Sequence, residues 1–236
     1  MNHLLSKIGS YPFEKLNLLH RDIKPSKDVI NLSIGEPKLN ADSKVLDILN
    51  KEANSFSNYP PLNAVPELSE AYRQYLKNHF GIENVAEDEV CLVAGTREGT
   101  FSIIQALFNK DNVKDKPYVV MPNPFYQIYG GATTLAGGEA KFLDCPEEDN
   151  FQPDLDSLKS EDWQKCQILV LCSPNNPTGS VLPLSKLKDI LNLADKYDFY
   201  VVSDECYVDL YTSEKSCPSV LQASSDRSDR LIALHS

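Results

Sequence analysis

Long apolar runs are missing from this chain. No stretch approaches the ~20 consecutive apolar residues that a membrane span requires, and the opening MNHLLSKIGSYPFEK has no apolar segment of the secretory-signal kind. Basic residues are in the minority: 23 Lys and Arg stand against 34 Asp and Glu, for a net charge of -11. That field opposes nucleic acid and anionic membrane surfaces, so neither is expected as a partner, and an anionic ligand needs a local site such as a helix N-terminus. Histidine is sparse, with four residues scattered at His3, His20, His79 and His235. The six cysteines, at 91, 145, 166, 172, 206 and 217, include no C-x-x-C pair. The tight ligand spacing of a zinc site is therefore absent and no metal is expected. Free thiols in a chain of this size point to a reducing compartment and a soluble, cytoplasmic protein. Neither G-x-G-x-x-G nor a Walker pattern occurs, so a nucleotide is not implied.

What is present is an ordinary globular composition: 236 residues, 42% hydrophobic and 24% charged. That length suffices for a full core in one large domain or two small ones. There is no internal repeat. Residues 1–65 read as irregular and punctuated by proline. Leu68, Ala71, Tyr72, Tyr75, Leu76 and His79 then follow helical spacing, and Gly81 stops the helix. Short apolar runs alternate with helical patterns from there on. Strands are expected at Val90–Ala94, Tyr118–Met121, Ala140–Leu143, Ile168–Cys172, Phe199–Val202 and Leu231–Leu234. Phe101, Ile104, Leu107 and Phe108 mark one helix face, and Leu187, Ile190, Leu191 and Ala194 another. Strand runs without polar alternation imply burial on both faces. With the intervening helices they predict an α/β fold, a mostly parallel sheet with helices on both faces. Ligands of such sheets sit at the carboxyl ends of the strands.

Four strand ends are distinctive. Gly95-Thr96-Arg97-Glu98-Gly99 lies between a strand and a helix, and reads either as a capped turn or as an anion site made by the helix's first N–H groups. Met121-Pro122-Asn123-Pro124-Phe125-Tyr126-Gln127-Ile128-Tyr129 presents aromatics for core packing or for stacking on a planar ligand. Ser173-Pro174-Asn175-Asn176-Pro177-Thr178-Gly179 crowds turn-formers after a buried strand, and an Asn amide there can donate to a ligand oxygen. Ser203-Asp204-Glu205-Cys206-Tyr207 ends an apolar strand with two acids. Glu205 reads as a solvated strand end. Asp204 directly follows Val201-Val202, and a buried carboxylate needs a cation or several hydrogen bonds.

In this order, IGEP, GTRE, NPFYQIY, SPNNPTG and SDECY resemble the fold-type I pyridoxal-phosphate-dependent aminotransferases of class I/II. The resemblance runs from about Leu32 to Ser236. YPFEKL, LSIGEPK, LCSPNNPTGSVLPL, DFYVVSDECY and the terminal HS are worded like the N-succinyldiaminopimelate aminotransferase subgroup. The resemblance implies pyridoxal 5'-phosphate as cofactor. Asp204 would pair with its ring nitrogen, Asn176 and Tyr207 would reach its phenolic oxygen, and Tyr126 would stack on the ring. The N–H groups of Thr96 and Arg97, after Gly95, would hold the phosphate together with the Ser236 hydroxyl. Tyr59 would serve the neighbouring subunit of a homodimer, and Gly35 and Asn176 would meet the substrate.

The same resemblance implies transfer of an amino group from an amino acid to a 2-oxo acid. For the subgroup these are N-succinyl-LL-2,6-diaminopimelate and 2-oxoglutarate, in lysine biosynthesis. An alanine, aspartate or aromatic aminotransferase is the alternative within the family, and a non-catalytic cofactor-binding or phosphate-binding fragment the alternative outside it. Residues 1–35 would be an N-terminal segment, part of the small domain or substrate lid, and 36–236 an incomplete cofactor-binding large domain. The Schiff-base lysine would lie beyond Ser236, with the last antiparallel strand and the C-terminal small domain, so the chain as written is expected not to transaminate. An unfilled slot of about two strand spacings, ~10 Å, is expected between the Val90 and Leu231 strands, leaving the latter as an aggregation-prone edge.

Overall fold

The computed structural model describes residues 2–30, 32, 35, 40–57, 59, 65–111, 116–210, 217–224 and 229–236. The IGEP motif apart from Gly35, and SNYPPLN apart from Ser57 and Tyr59, lie outside the described residues. The chain divides into a unit of Gly9–Val65 and a unit of Met1–Ile8 with Pro66–Ser236.

The smaller unit holds helices α1 (Pro12–His20) and α2 (Ser43–Lys51), contrary to the expected irregular segment. Pro12 sits at the first helical position, where its fixed φ starts a helix rather than breaking one. The Asp42 carboxylate caps α2 by accepting from the Lys44 backbone N–H at 2.8 Å.

In the larger unit, α3 (Pro66–Phe80) ends where Gly81 takes a φ of 68°. Then come α4 (Thr96–Leu107), β1 (Tyr118–Asn123), α5 (Gln127–Leu135), β2 (Glu139–Asp144), α6 (Ser160–Lys165), β3 (Cys166–Cys172), α7 (Leu184–Tyr197), β4 (Tyr200–Asp204) and β5 (Leu231–Leu234). The sheet order is β2-β1-β3-β4-β5, and every pairing is parallel. Every residue of β3 is buried, which explains its uninterrupted apolar sequence CQILVLC. Leu169 and Leu171 point into one core with Leu187, Ile190, Leu191 and Ala194 of α7. Ile168 and Val170 point into the opposite core with Ile104 of α4 and Tyr129 and Ala132 of α5. The expected mostly parallel sheet, covered on both faces, is what forms. Each such buried Leu or Ile contributes roughly 1.5–3 kcal/mol of transfer free energy.

The expected strand at Val90–Ala94 does not form. A strand exists only with a ladder partner, and the outer edge of β5 is separated from Val90–Val93 by an open cleft of about 650 Å³. Val90, Leu92 and Val93 line one wall of that cleft and Leu231–Leu234 the other. Leu92 and Val93 are accordingly exposed. The slot expected between these two segments is therefore present, with an extended but unladdered wall in place of its outer strand. Among the described residues, no helix is long and apolar enough to cross a membrane, and no cluster of three His, Cys, Asp or Glu could hold a metal ion.

Candidate functional site

Parallel topology brings the expected residues to one end of the sheet. β3 and β4 run in register from Ile168–Tyr200 to Cys172–Asp204, so SPNNPTG and DECY leave the sheet side by side. Asp204 is buried. Its Oδ2 accepts a hydrogen bond from the Tyr129 hydroxyl at 2.8 Å, and its Oδ1 only a long one, 3.4 Å, from the Cys206 backbone N–H. The buried carboxylate is thus carried by neutral donors rather than by a cation, and one oxygen keeps most of its accepting capacity. Beyond the sheet, Asn176 Nδ2 donates to the Tyr207 hydroxyl at 3.4 Å, which joins the two loops.

The first helix turn of α4 reaches the same place. Gly95 precedes it with φ 104° and ψ 153°, and no side chain caps it. The N–H groups of Thr96, Arg97 and Glu98 come before the first helical bond, from the Gly99 N–H to the Gly95 carbonyl. The Cys206 thiol lies close to both the Thr96 hydroxyl and the Asp204 carboxylate. The α4 N-terminus and the end of β4 therefore lie near one another. The Ser236 hydroxyl donates to the Cys206 carbonyl at 3.5 Å, which places the last residue at this end too.

Tyr126 stands at the N-cap of α5, half-buried, with its ring perpendicular to that of Tyr129 at 5.8 Å. The structure thus gathers Gly95, Thr96, Arg97, Tyr126, Asn176, Asp204, Tyr207 and Ser236 around the ends of β3 and β4. Gly35 and Tyr59 belong to the smaller unit, where Tyr59 is exposed.

Burial governs the local acid–base chemistry. It pushes the Cys172 thiol up to about 12, with the Asp204 charge adding to it. The Cys206 thiol is raised for the same two reasons, burial first. The phenol of Tyr129 is held far above its ordinary range by burial, then by Cys172 and Asp204. Burial also raises Tyr207. All four groups stay protonated at neutral pH.

Two participants were not foreseen. Tyr129 closes the NPFYQIY motif, and its signal was the three-residue spacing from Tyr126, one helical turn. Glu205 is the larger correction. It is not a solvated strand end but among the most buried side chains of the protein. Its Oε1 accepts from the Ser203 hydroxyl at 2.9 Å and the Val220 N–H at 2.8 Å. Its Oε2 lies 2.9 Å from His235 Nε2, an ion-pair distance without hydrogen-bond alignment. His235 Nδ1 in turn meets the Tyr72 hydroxyl at 2.6 Å. The signal was positional: β4 and β5 align Asp204 with Leu234, so Glu205 and His235 follow as the next pair.

The chain matches the family model for aminotransferase class I and II over residues 27–236. Among solved structures, it superposes on an aminotransferase from Neisseria meningitidis with a TM-score of 0.92 at 38% identity, covering 100% of this chain and 61% of that one. It superposes on the aminotransferase AspB from Helicobacter pylori with a TM-score of 0.88 at 32% identity, covering 97% of this chain and 60% of that one. Among curated proteins, it is 28% identical to the LL-diaminopimelate aminotransferase of Maridesulfovibrio salexigens over 98% of this chain and 59% of that protein. The chain thus spans somewhat under two thirds of the length of the curated relatives it matches.

Proposed function

The chain belongs to the class I and II aminotransferase family, and on that premise we propose that it forms the pyridoxal-phosphate-binding part of an enzyme that moves an amino group from an amino acid to a 2-oxo acid. The family is pyridoxal-phosphate-dependent, and the residues present fit the cofactor. Asp204 offers a buried carboxylate oxygen at the strand ends, suited to a protonated ring nitrogen. The uncapped α4 N-terminus behind Gly95 suits the phosphate: N–H groups point outward there, and the helix dipole favours negative charge. Bound pyridoxal phosphate supplies an electron sink for the pair released when the substrate Cα–H bond breaks.

The chain's own residues do the rest. Asp204 holds the ring-nitrogen proton in place. Asn176 and Tyr207 donate to the phenolic oxygen, Tyr126 covers the ring face, and Ser236 joins Thr96 and Arg97 on the phosphate. Gly35 and Asn176 orient the substrate, and Tyr59 reaches the site of a second subunit in a homodimer. Residues 1–35 act as part of the small domain or substrate lid, and the protein works in the cytoplasm, a reading the free thiols support. The donor is of the diaminopimelate type, N-succinyl-LL-2,6-diaminopimelate with 2-oxoglutarate as acceptor. The names of several curated relatives support the diaminopimelate skeleton, and the wording of the motifs supports the N-succinyl form.

The observation that carries this reading is Asp204, a buried acid at the strand ends whose Oδ1 accepts a long hydrogen bond from the Cys206 N–H. The test is a titration of the chain with pyridoxal phosphate, followed by cofactor absorbance, against Asp204→Ala. Saturable one-to-one binding weakened about tenfold or more in the variant is expected, the loss of a charge-assisted hydrogen bond. Equal binding by the two chains would sink the assignment.

A further inference from the structure

We propose that Tyr129 is the positioning residue for Asp204: its hydroxyl fixes the carboxylate so that the second oxygen faces the cofactor's ring nitrogen. The inference rests on the cofactor reading above and assigns a role to a residue that the reading does not use.

The tyrosine ring is fully buried, in the same core cluster as Ile104, Met121, Val170 and Val202. The Tyr129 carbonyl accepts from the Thr133 hydroxyl at 2.7 Å, so the backbone at this point is tied to the next turn of α5. The buried ring carries its hydroxyl to 2.8 Å from Asp204 Oδ2. The bond joins residues 75 positions apart, across the core between α5 and β4. A carboxylate on a short side chain otherwise rotates about its last torsion, a broad and weakly restrained one. Anchoring Oδ2 from the core side fixes that torsion and gives Oδ1, which accepts a long hydrogen bond from the Cys206 N–H, one direction.

The donor's character suits the task. Burial keeps the phenol protonated well above neutral pH, so Tyr129 donates to the carboxylate and does not compete for the ring-nitrogen proton. Placement on α5 adds a second consequence. Tyr126, the residue proposed to cover the cofactor ring, lies one turn earlier on the same helix, its ring perpendicular to that of Tyr129. One helix therefore carries both the side chain for the ring's face and the side chain that orients the acid for its nitrogen. A shift of α5 moves both together.

The test is a double-mutant cycle on cofactor binding, using the chain, Tyr129→Phe, Asp204→Asn and the double variant. The ligands are pyridoxal phosphate and an analogue with carbon in place of the ring nitrogen. For pyridoxal phosphate, Tyr129→Phe is expected to weaken binding about tenfold when Asp204 is present, and by less than about threefold in the Asp204→Asn background. With the carbon analogue, Tyr129→Phe is expected to change little. Equal losses in both backgrounds and with both ligands would mean that the hydroxyl only supports packing, and would overturn the proposal while leaving the cofactor site standing. Failure of the unmodified chain to bind pyridoxal phosphate would overturn both. Circular dichroism checks that each variant folds. Should Tyr129→Phe not fold, Tyr129→Leu, which likewise has no donor, carries the same cycle with the same expected dependence on Asp204.

Discussion

Replacing His235 by Phe removes the imidazole that faces a buried acid. The side chains of His235 and Glu205 are 6% and 1% exposed, with Nε2 and Oε2 2.9 Å apart. Phe fills the imidazole's place among the rings of Tyr72, Tyr75 and Phe80, which lie 5.7, 6.1 and 5.8 Å away, so lost packing is small. What remains is the cost of leaving a buried acid without its facing partner, about 3–5 kcal/mol. A domain is stable by only about 5–15 kcal/mol in total. At about 2–4 °C per kcal/mol for a unit of this size, the melting temperature should fall by about 6–20 °C. The assay is urea denaturation of His235→Phe, Glu205→Gln and the double variant. Gln keeps the Oε1 acceptor for Ser203 and Val220 but carries no charge. The double variant should therefore be more stable than His235→Phe alone, a coupling expected only of partners in contact. A loss below about 1 kcal/mol for His235→Phe, the value of an exposed pair, would refute the reasoning. So would strictly additive losses.

Other substitutions read the same geometry. Gly95 holds φ 104° and ψ 153°, and a Cβ there would stand 3.4 Å from Glu98 Oε2; Gly95→Ala should cost about 1–3 kcal/mol by thermal melts and also weaken pyridoxal phosphate binding. A Cβ on Gly99 would stand 3.1 Å from Val93 Cγ2 and 3.3 Å from Leu234 Cδ2; Gly99→Val should destabilise by about 1–3 kcal/mol, and a neutral result would show that the Val93 wall yields freely. Cys172, with its thiol pushed up to about 12, is about one part in ten thousand thiolate at pH 8. Iodoacetamide at pH 8 should therefore label exposed Cys91 long before Cys172, with Cys172 labelling rising only as pH climbs toward its raised value; equal rates by mass spectrometry would contradict that burial.

The parallel sheet was legible because its strands are buried on both faces and therefore lack polar alternation. β3 and β4 declare themselves in ILVLC and YVV, and α7 in the spacing of Leu187, Ile190, Leu191 and Ala194. Val90–Val93 has the same composition yet no ladder, because strand propensity cannot report whether a partner strand lies alongside. Pro12 misled in the other direction: proline excludes helix interiors but favours helix starts. Within the site, Asp204 was legible as a buried acid because it continues an apolar run. Its neighbour Glu205 was not, since its burial depends on His235 and the Val220 N–H, groups 30 and 15 residues away that only the β5 register and a short 3-10 turn bring near. Tyr129 likewise met Asp204 only through the packing of α5 on the sheet.

The central claim is that the ends of β3 and β4, with the start of α4, form one cofactor pocket. A crystal structure of the chain grown with pyridoxal phosphate tests it most directly. The account predicts the ring nitrogen against Asp204 Oδ1, the ring between Tyr126 and the sheet end, and the phosphate on the Thr96 and Arg97 N–H groups. A cofactor bound elsewhere, or seated here with its phosphate away from the α4 N-terminus, would contradict it.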